Sequence, residues 1–252
     1  VSQLLTNGVR LHVAELGEGP PIVMLHGLLV GNLASWYLTA APALSRSHRV
    51  LVYDLRGHGR SERPATGYDV ATMVDDLRGL LDQRFAGQPV DLVGHSYGAL
   101  VALQLALSEP ARVRRLALVE APLSPSDTRQ LTAWLDQPPD ALARALPDAL
   151  QADLARGGRR ARRLLAGLLA LATETSVVAD IAAQRELSDD RLASLSCPLL
   201  AVYGRSSSCR HEADRLRRLL PTARVAELDG GHYLPLDAAA ELTALLEDFL
   251  RG

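Results

Sequence analysis

A chain of 252 residues, 48% hydrophobic and 22% charged, is long enough to close an α/β core without a disulfide or a structural metal. Its net charge of −2 gives no electrostatic case for a nucleic acid or an anionic membrane as partner. All 27 basic residues are arginine, which excludes lysine nucleophiles and Schiff bases.

Short apolar runs bounded by Gly, Pro and Asp alternate with longer helical patterns, the form of a mostly parallel, doubly wound sheet with crossover helices. In chain order the predicted strands are Val9–Leu16, Pro21–His26, Arg49–Tyr53, Val90–Gly94, Arg115–Glu120, Pro198–Tyr203 and Arg224–Leu228. The first alternates most clearly and is expected at an antiparallel edge. Predicted amphipathic helices cover Ala34–Leu44, Asp69–Phe85, Tyr97–Ser108, Glu212–Leu220 and Asp237–Arg251. Residues 122–196 break the alternation with Ala/Leu helices and no convincing strand, so they read as a helical insertion in a core of residues 1–121 and 197–252. The arginines at 159, 160, 162 and 163 read as a solvated helix face. Cys197 and Cys209 lack metal-ligand spacing and read as free thiols of a reducing compartment. With no leader-like segment and no apolar run of spanning length, the expectation is a soluble cytoplasmic protein.

The most informative stretch is Val90 to Leu100, where an apolar strand meets Gly94-His95-Ser96-Tyr97-Gly98 and a small-residue helix follows. A serine hydroxyl becomes a useful nucleophile when it is exposed, aligned with a base and flanked by oxyanion donors. A sharp strand-to-helix turn supplies that arrangement, and Ser96 is the predicted nucleophile. Earlier, the strand Ile22–Leu25 ends in His26-Gly27-Leu28, and Val52-Tyr53-Asp54 runs into a glycine-rich turn; late in the chain comes Gly230-Gly231-His232.

In order and spacing these motifs resemble the α/β-hydrolase family along nearly the whole chain. The resemblance implies an oxyanion hole made by the backbone N–H groups of Tyr97 and Leu28, with His232 as base. It places the orienting Asp a few residues beyond the strand after the insertion, but here that strand continues Gly204-Arg205-Ser206-Ser207-Ser208-Cys209 without a carboxylate. Ser207 stands where Asp is expected. Glu120, at the end of its own strand, is the expected substitute; Asp229 is a weaker competitor and Asp214 weaker still. The insertion resembles the family's lid, and His26, Trp36, Trp134 and Tyr233 are expected to line the substrate site.

Together these features imply a hydrolase of carboxylic esters or thioesters acting through an acyl-enzyme. No metal or cofactor is expected, and the partner is a small-molecule or carrier-bound acyl substrate. Alternatives within the fold are carbon–carbon bond hydrolysis, or acyl transfer and cyclisation on a biosynthetic, polyketide-like thioester. Haloalkane and epoxide hydrolysis is disfavoured, because those relatives carry aspartate where this chain has Ser96. A non-catalytic, ligand-binding member of the fold would be favoured only by the missing Asp.

Overall fold

The computed structural model describes residues 2–28, 31–124, 127, 132–133, 139–144 and 148–251. Its strands are β1 (Ser2–Thr6), β2 (Val9–Leu16), β3 (Pro21–Leu25), β4 (Arg49–Tyr53), β5 (Val90–His95), β6 (Val113–Val119), β7 (Leu199–Gly204) and β8 (Arg224–Leu228). They form an 8-stranded sheet in the order β1-β2-β4-β3-β5-β6-β7-β8. β2 pairs antiparallel with β1 and β4, and every later pairing is parallel.

The parallel strands read as continuous apolar runs because both faces are covered. Alternate side chains divide between two cores. Val23, Leu25, Leu51, Tyr53, Leu92, Leu116 and Leu118 pack on one face, whereas Ile22, Met24, Val50, Val52, Val93, Ala117 and Val119 pack on the other. The first face is covered mainly by α3 (Val70–Phe85) and α4 (Tyr97–Ser108), which follow the small helices α1 (Ala34–Tyr37) and α2 (Ala41–Leu44). Asp69 caps α3 by accepting the Thr72 N–H at 2.9 Å, and that fixes where the helix starts.

Between β6 and β7 the described residues hold helices only: α5 (Pro139–Arg144), α6 (Asp148–Ala155), α7 (Arg159–Glu174), α8 (Val177–Ala182) and α9 (Asp189–Ala193). On α7, Arg159, Arg162 and Arg163 face solvent while Leu168 and Leu171 are buried. The end of this segment is tied to the loop before α3: Ser176 N–H donates to the Ala65 carbonyl at 2.8 Å and Tyr68 N–H to Asp180 Oδ2 at 2.8 Å. After β7 come α10 (His211–Leu219), α11 (Leu234–Asp237) and α12 (Ala239–Arg251); Leu242, Leu246 and Leu250 of α12 cover the second core.

Three sequence expectations need correction. Val9–Leu16 is antiparallel but not the edge, because β1 lies outside it. β1 is short and half polar, yet the Asn7-Gly8 turn, both residues at positive φ, is the hairpin signal that marks it. The expected helix Ala34–Leu44 is split into α1 and α2, with Pro42 opening the second because its ring suits a first helical turn and not an interior. Asp237–Arg251 is likewise split, so that α11 ends at Asp237 and α12 begins at Ala239.

Candidate active site

The carboxyl ends of the parallel strands converge on one edge of the sheet, where ligand sites of open α/β sheets lie. Ser96 follows β5 with φ 53 and ψ −123 and opens α4. A non-glycine residue in this conformation is strained and persists only where its surroundings hold it. Here its N–H donates to the Val119 carbonyl at 2.8 Å, locking the turn onto β6. The flanking glycines are required by packing. A Cβ on Gly94 would lie 2.5 Å from the Cα of Ala99, and one on Gly98 would collide with the His26 carbonyl.

Glu120 follows β6 and is also at positive φ, 56°, with its N–H donating to the Val202 carbonyl at 2.9 Å. Its side chain is fully buried. One carboxylate oxygen accepts the Gly204 N–H, and the other accepts the Ser207 hydroxyl. Ser207 is itself held by the Cys209 N–H at 3.1 Å. His232 arrives from the loop after β8. Its Nδ1 lies 3.2 Å from Glu120 Oε2, and its Nε2 lies 2.8 Å from Ser96 Oγ. The loop reaches this position because Gly204 has no side chain to strike the Gly230 and Gly231 carbonyls. His95 completes the brace by donating Nε2–H to the His232 carbonyl at 2.8 Å.

With Glu120 accepting at Nδ1, the His232 proton sits there, and the Nε2 lone pair is directed at the serine hydroxyl. This is the tautomer a general base requires. Burial holds the neighbouring His95 down to about 3 and His26 to about 4, so both remain neutral at ordinary pH. Burial also pushes the Cys209 thiol up, so this residue, with Sγ 3.9 Å from His232 Nδ1, is protonated and a poor nucleophile.

The Tyr97 N–H opens a helix and so has no acceptor within it, while Leu28 lies in the loop beyond β3. Gly27, one residue before Leu28, comes so near Ser96 that a Cβ there would lie 2.9 Å from the serine Cβ. Both expected oxyanion donors thus belong to segments that border Ser96.

Of the expected substrate-lining residues, His26 and Trp36 are corrected. His26 is fully buried, with Nδ1–H donating to the Gly27 carbonyl at 2.7 Å and Nε2 accepting the Leu55 N–H at 3.0 Å, so it braces the loops after β3 and β4. Trp36 is fully buried in the second core, its indole N–H donating to the Leu25 carbonyl at 2.9 Å. Neither offers surface to a ligand. Tyr233 is half-buried against His232 and His95, and Trp134 lies outside the described residues.

The competing acids lie elsewhere. Asp229 is 95% exposed and pairs with Arg205, and Asp214 pairs with Arg217 on the surface of α10. Sequence reasoning missed the task of Ser207, which holds the carboxylate and not the histidine. Its signal was the gap itself, a hydroxyl standing where a carboxylate is expected.

The comparisons agree with this architecture. A model of the alpha/beta hydrolase fold matches residues 20–176. The chain is 32% identical to 2-hydroxymuconate semialdehyde hydrolase of Pseudomonas sp. strain CF600, over 98% of this chain and 93% of that protein. It is 38% identical to a soluble epoxide hydrolase of Corynebacterium sp. strain C12, but over only 47% of this chain and 40% of that one. The enol-lactonase of Burkholderia xenovorans LB400 superposes with a TM-score of 0.82 at 25% identity, covering 100% of both chains. Among the described residues no helix is long and apolar enough to cross a membrane. From the matched model and the near full-length relative, the chain belongs to the alpha/beta hydrolase fold family and is a hydrolase.

Proposed function

We propose that the protein hydrolyses a carboxylic ester or thioester through an acyl-enzyme on Ser96. The observation that carries this reading is the unbroken hydrogen-bond chain from Ser96 Oγ to His232 at 2.8 Å and on to Glu120 at 3.2 Å. In the proposed reaction Ser96 attacks the acyl carbon as His232 takes its proton. The Tyr97 and Leu28 N–H groups receive the oxyanion, each contributing about 10²–10³ in rate. Glu120 stabilises the imidazolium, which then protonates the leaving alcohol or thiol. Water, activated by the same histidine, releases the acid. The residues between β6 and β7 act as the lid, and their Leu and Ala content suits an apolar acyl group.

No step requires a metal or a cofactor. Epoxide opening, named for the Corynebacterium relative, is disfavoured, because the family resemblance implies an aspartate nucleophile for that reaction and this chain has Ser96 at the elbow.

Carbon–carbon bond hydrolysis is the second reading, favoured by the Pseudomonas relative's 32% identity over nearly the full chain. The test is covalent labelling by a fluorophosphonate, followed by rates on an aryl ester, an acyl thioester and a β-diketone. Labelling at Ser96 that is lost in Ser96→Ala, with the esters turned over fastest, is the expected result. No labelling would overturn the nucleophile. Fastest turnover of the diketone would favour the second reading.

A further inference from the structure

Beyond the hydrolytic site, Asp127, His211 and Glu212 gather at the junction between the start of the inserted segment and α10. Their ligating atoms all lie within 4.8 Å of one another. The Asp127 and Glu212 side chains are 2% and 0% exposed, a pair of buried carboxylates in one place. Arg215 reaches Glu212 at 3.4 Å from its far side, but Asp127 Oδ1 is buried without a hydrogen-bond partner among the described residues. Such a group, held out of water and unsatisfied, is expensive unless something else satisfies it.

His211 faces this pair in an informative orientation. Its Nδ1 donates to the Ser208 carbonyl at 3.0 Å, which leaves Nε2 with its lone pair as the free ring position. That Nε2 stands 3.3 Å from Glu212 Oε1 and 3.7 Å from Asp127 Oδ1. A lone pair turned toward two carboxylate oxygens is repulsive unless a proton or a metal cation lies between them. Metal-bound histidines have this arrangement, the second ring nitrogen donating to a backbone carbonyl. The spacing also fits: ligand atoms around a tetrahedral ion with bonds of about 2.1 Å lie about 3.4 Å apart. Ser124 holds both carboxylates in place, its hydroxyl donating to Glu212 Oε1 and its N–H to Asp127 Oδ2 at 3.4 Å. His211 is 53% exposed, so an ion has a way in.

We propose that Asp127, His211 and Glu212 bind a divalent cation of the zinc class, which ties the beginning of the inserted segment to α10. The mixed nitrogen and oxygen ligand set, with three protein ligands and an open position, suits Zn²⁺ or Co²⁺ better than Ca²⁺, which takes six to eight oxygens. A second cluster among the described residues, Glu120, Cys209 and His232, belongs to the candidate active site already described, where His232 Nδ1 lies 3.2 Å from Glu120 and Nε2 is turned to Ser96.

The test uses the whole protein, stripped with a chelator and titrated with ZnCl₂ by calorimetry while its unfolding temperature is followed. One equivalent of Zn²⁺ is expected to bind and raise the unfolding temperature, reversibly on adding chelator. His211→Ala should weaken binding by about tenfold or more while leaving the metal-free unfolding temperature nearly unchanged, since this side chain is half exposed. Asp127→Asn should also weaken it. Co²⁺ should give the intense visible bands of a tetrahedral site. The proposal is overturned if no Zn²⁺ binds, if His211→Ala binds as tightly as the parent, if binding is lost in Cys209→Ala but kept in His211→Ala, or if Ca²⁺ binds more tightly than Zn²⁺.

Discussion

Replacing Glu120 by Gln removes one charge and, where Oε2 accepts from Ser207 and His232, puts an amide NH2 that can only donate. The amide oxygen can still accept the Gly204 N–H, and the side chain keeps its volume in a fully buried position. What is lost is the anion facing the imidazolium, whose Nδ1 lies 3.2 Å from Oε2, together with the acceptor that keeps the histidine proton on Nδ1. At an effective dielectric of about 20 that attraction is about 5 kcal/mol, nearly four decades of rate. The expected result is a fall in kcat on an aryl ester of about 10³–10⁴, the scale found when a triad acid loses its charge, with KM changed by less than about threefold. Asp229→Ala, at a 95% exposed position, should leave the rate within about twofold. Because Ser207 Oγ and His232 Nδ1 meet the same carboxylate oxygen, Ser207→Asp added to Glu120→Gln should recover about tenfold or more. Steady-state rates, with circular dichroism to confirm folding, make the comparison. If Glu120→Gln keeps a large part of the activity, or Asp229→Ala loses as much, the assignment of the acid is refuted.

Three further outcomes follow from the packing. Burial holds His26 at about 4 and His58 and His95 at about 3, so below about pH 6.5 the unfolded chain takes up protons that the folded one refuses. Stability should therefore fall as pH drops from about 6.5 toward 4, by up to about 1.4 kcal/mol per pH unit for each histidine, and a urea midpoint that is flat across this range would refute it. The buried pair of Arg56 and Asp76 is bonded at 2.7 Å from Nε, and Asp76→Ala should destabilise by about 3–5 kcal/mol in the same assay, since it strands a buried guanidinium. Gly98→Ala should lose about 1–3 kcal/mol or fail to fold, because its Cβ meets the His26 carbonyl; an unchanged unfolding temperature would contradict the close crossing of α4 over β3.

Strands written as short apolar or alternating runs between turn residues were legible to within a residue or two, and Val9–Leu16, Arg49–Tyr53 and Arg224–Leu228 match at both ends. The elbow helix Tyr97–Ser108 matches as well, because a strained turn and a helix start are both written locally. What escaped was decided at a distance. A predicted helix covering Ala34–Leu44 is locally reasonable, and only Pro42 and the packing of Trp36 against β3 divide it. His26 and Trp36 carried residue types common in pockets, but their burial depends on loops far away in sequence. The hydrogen bond from the Leu55 N–H that occupies His26 Nε2 could not be read from either segment alone.

Glu120, the proposed acid, shows how topology sets that limit. β6 and β7 are parallel neighbours with Val119 opposite Val202, so the residue just past β6 and the loop just past β7 finish at one place on the sheet edge. Either can offer a carboxylate to His232, and the backbone need not change much for the source to shift. Glu120 reaches it from a positive-φ position locked by the Val202 carbonyl, and Ser207 fills the vacated position with a hydroxyl that donates to the carboxylate. The spacing from β7 to an Asp is therefore a property of one solution and not of the chemistry. The chemistry requires only a buried anion within hydrogen-bond reach of Nδ1, on whichever neighbouring strand supplies it.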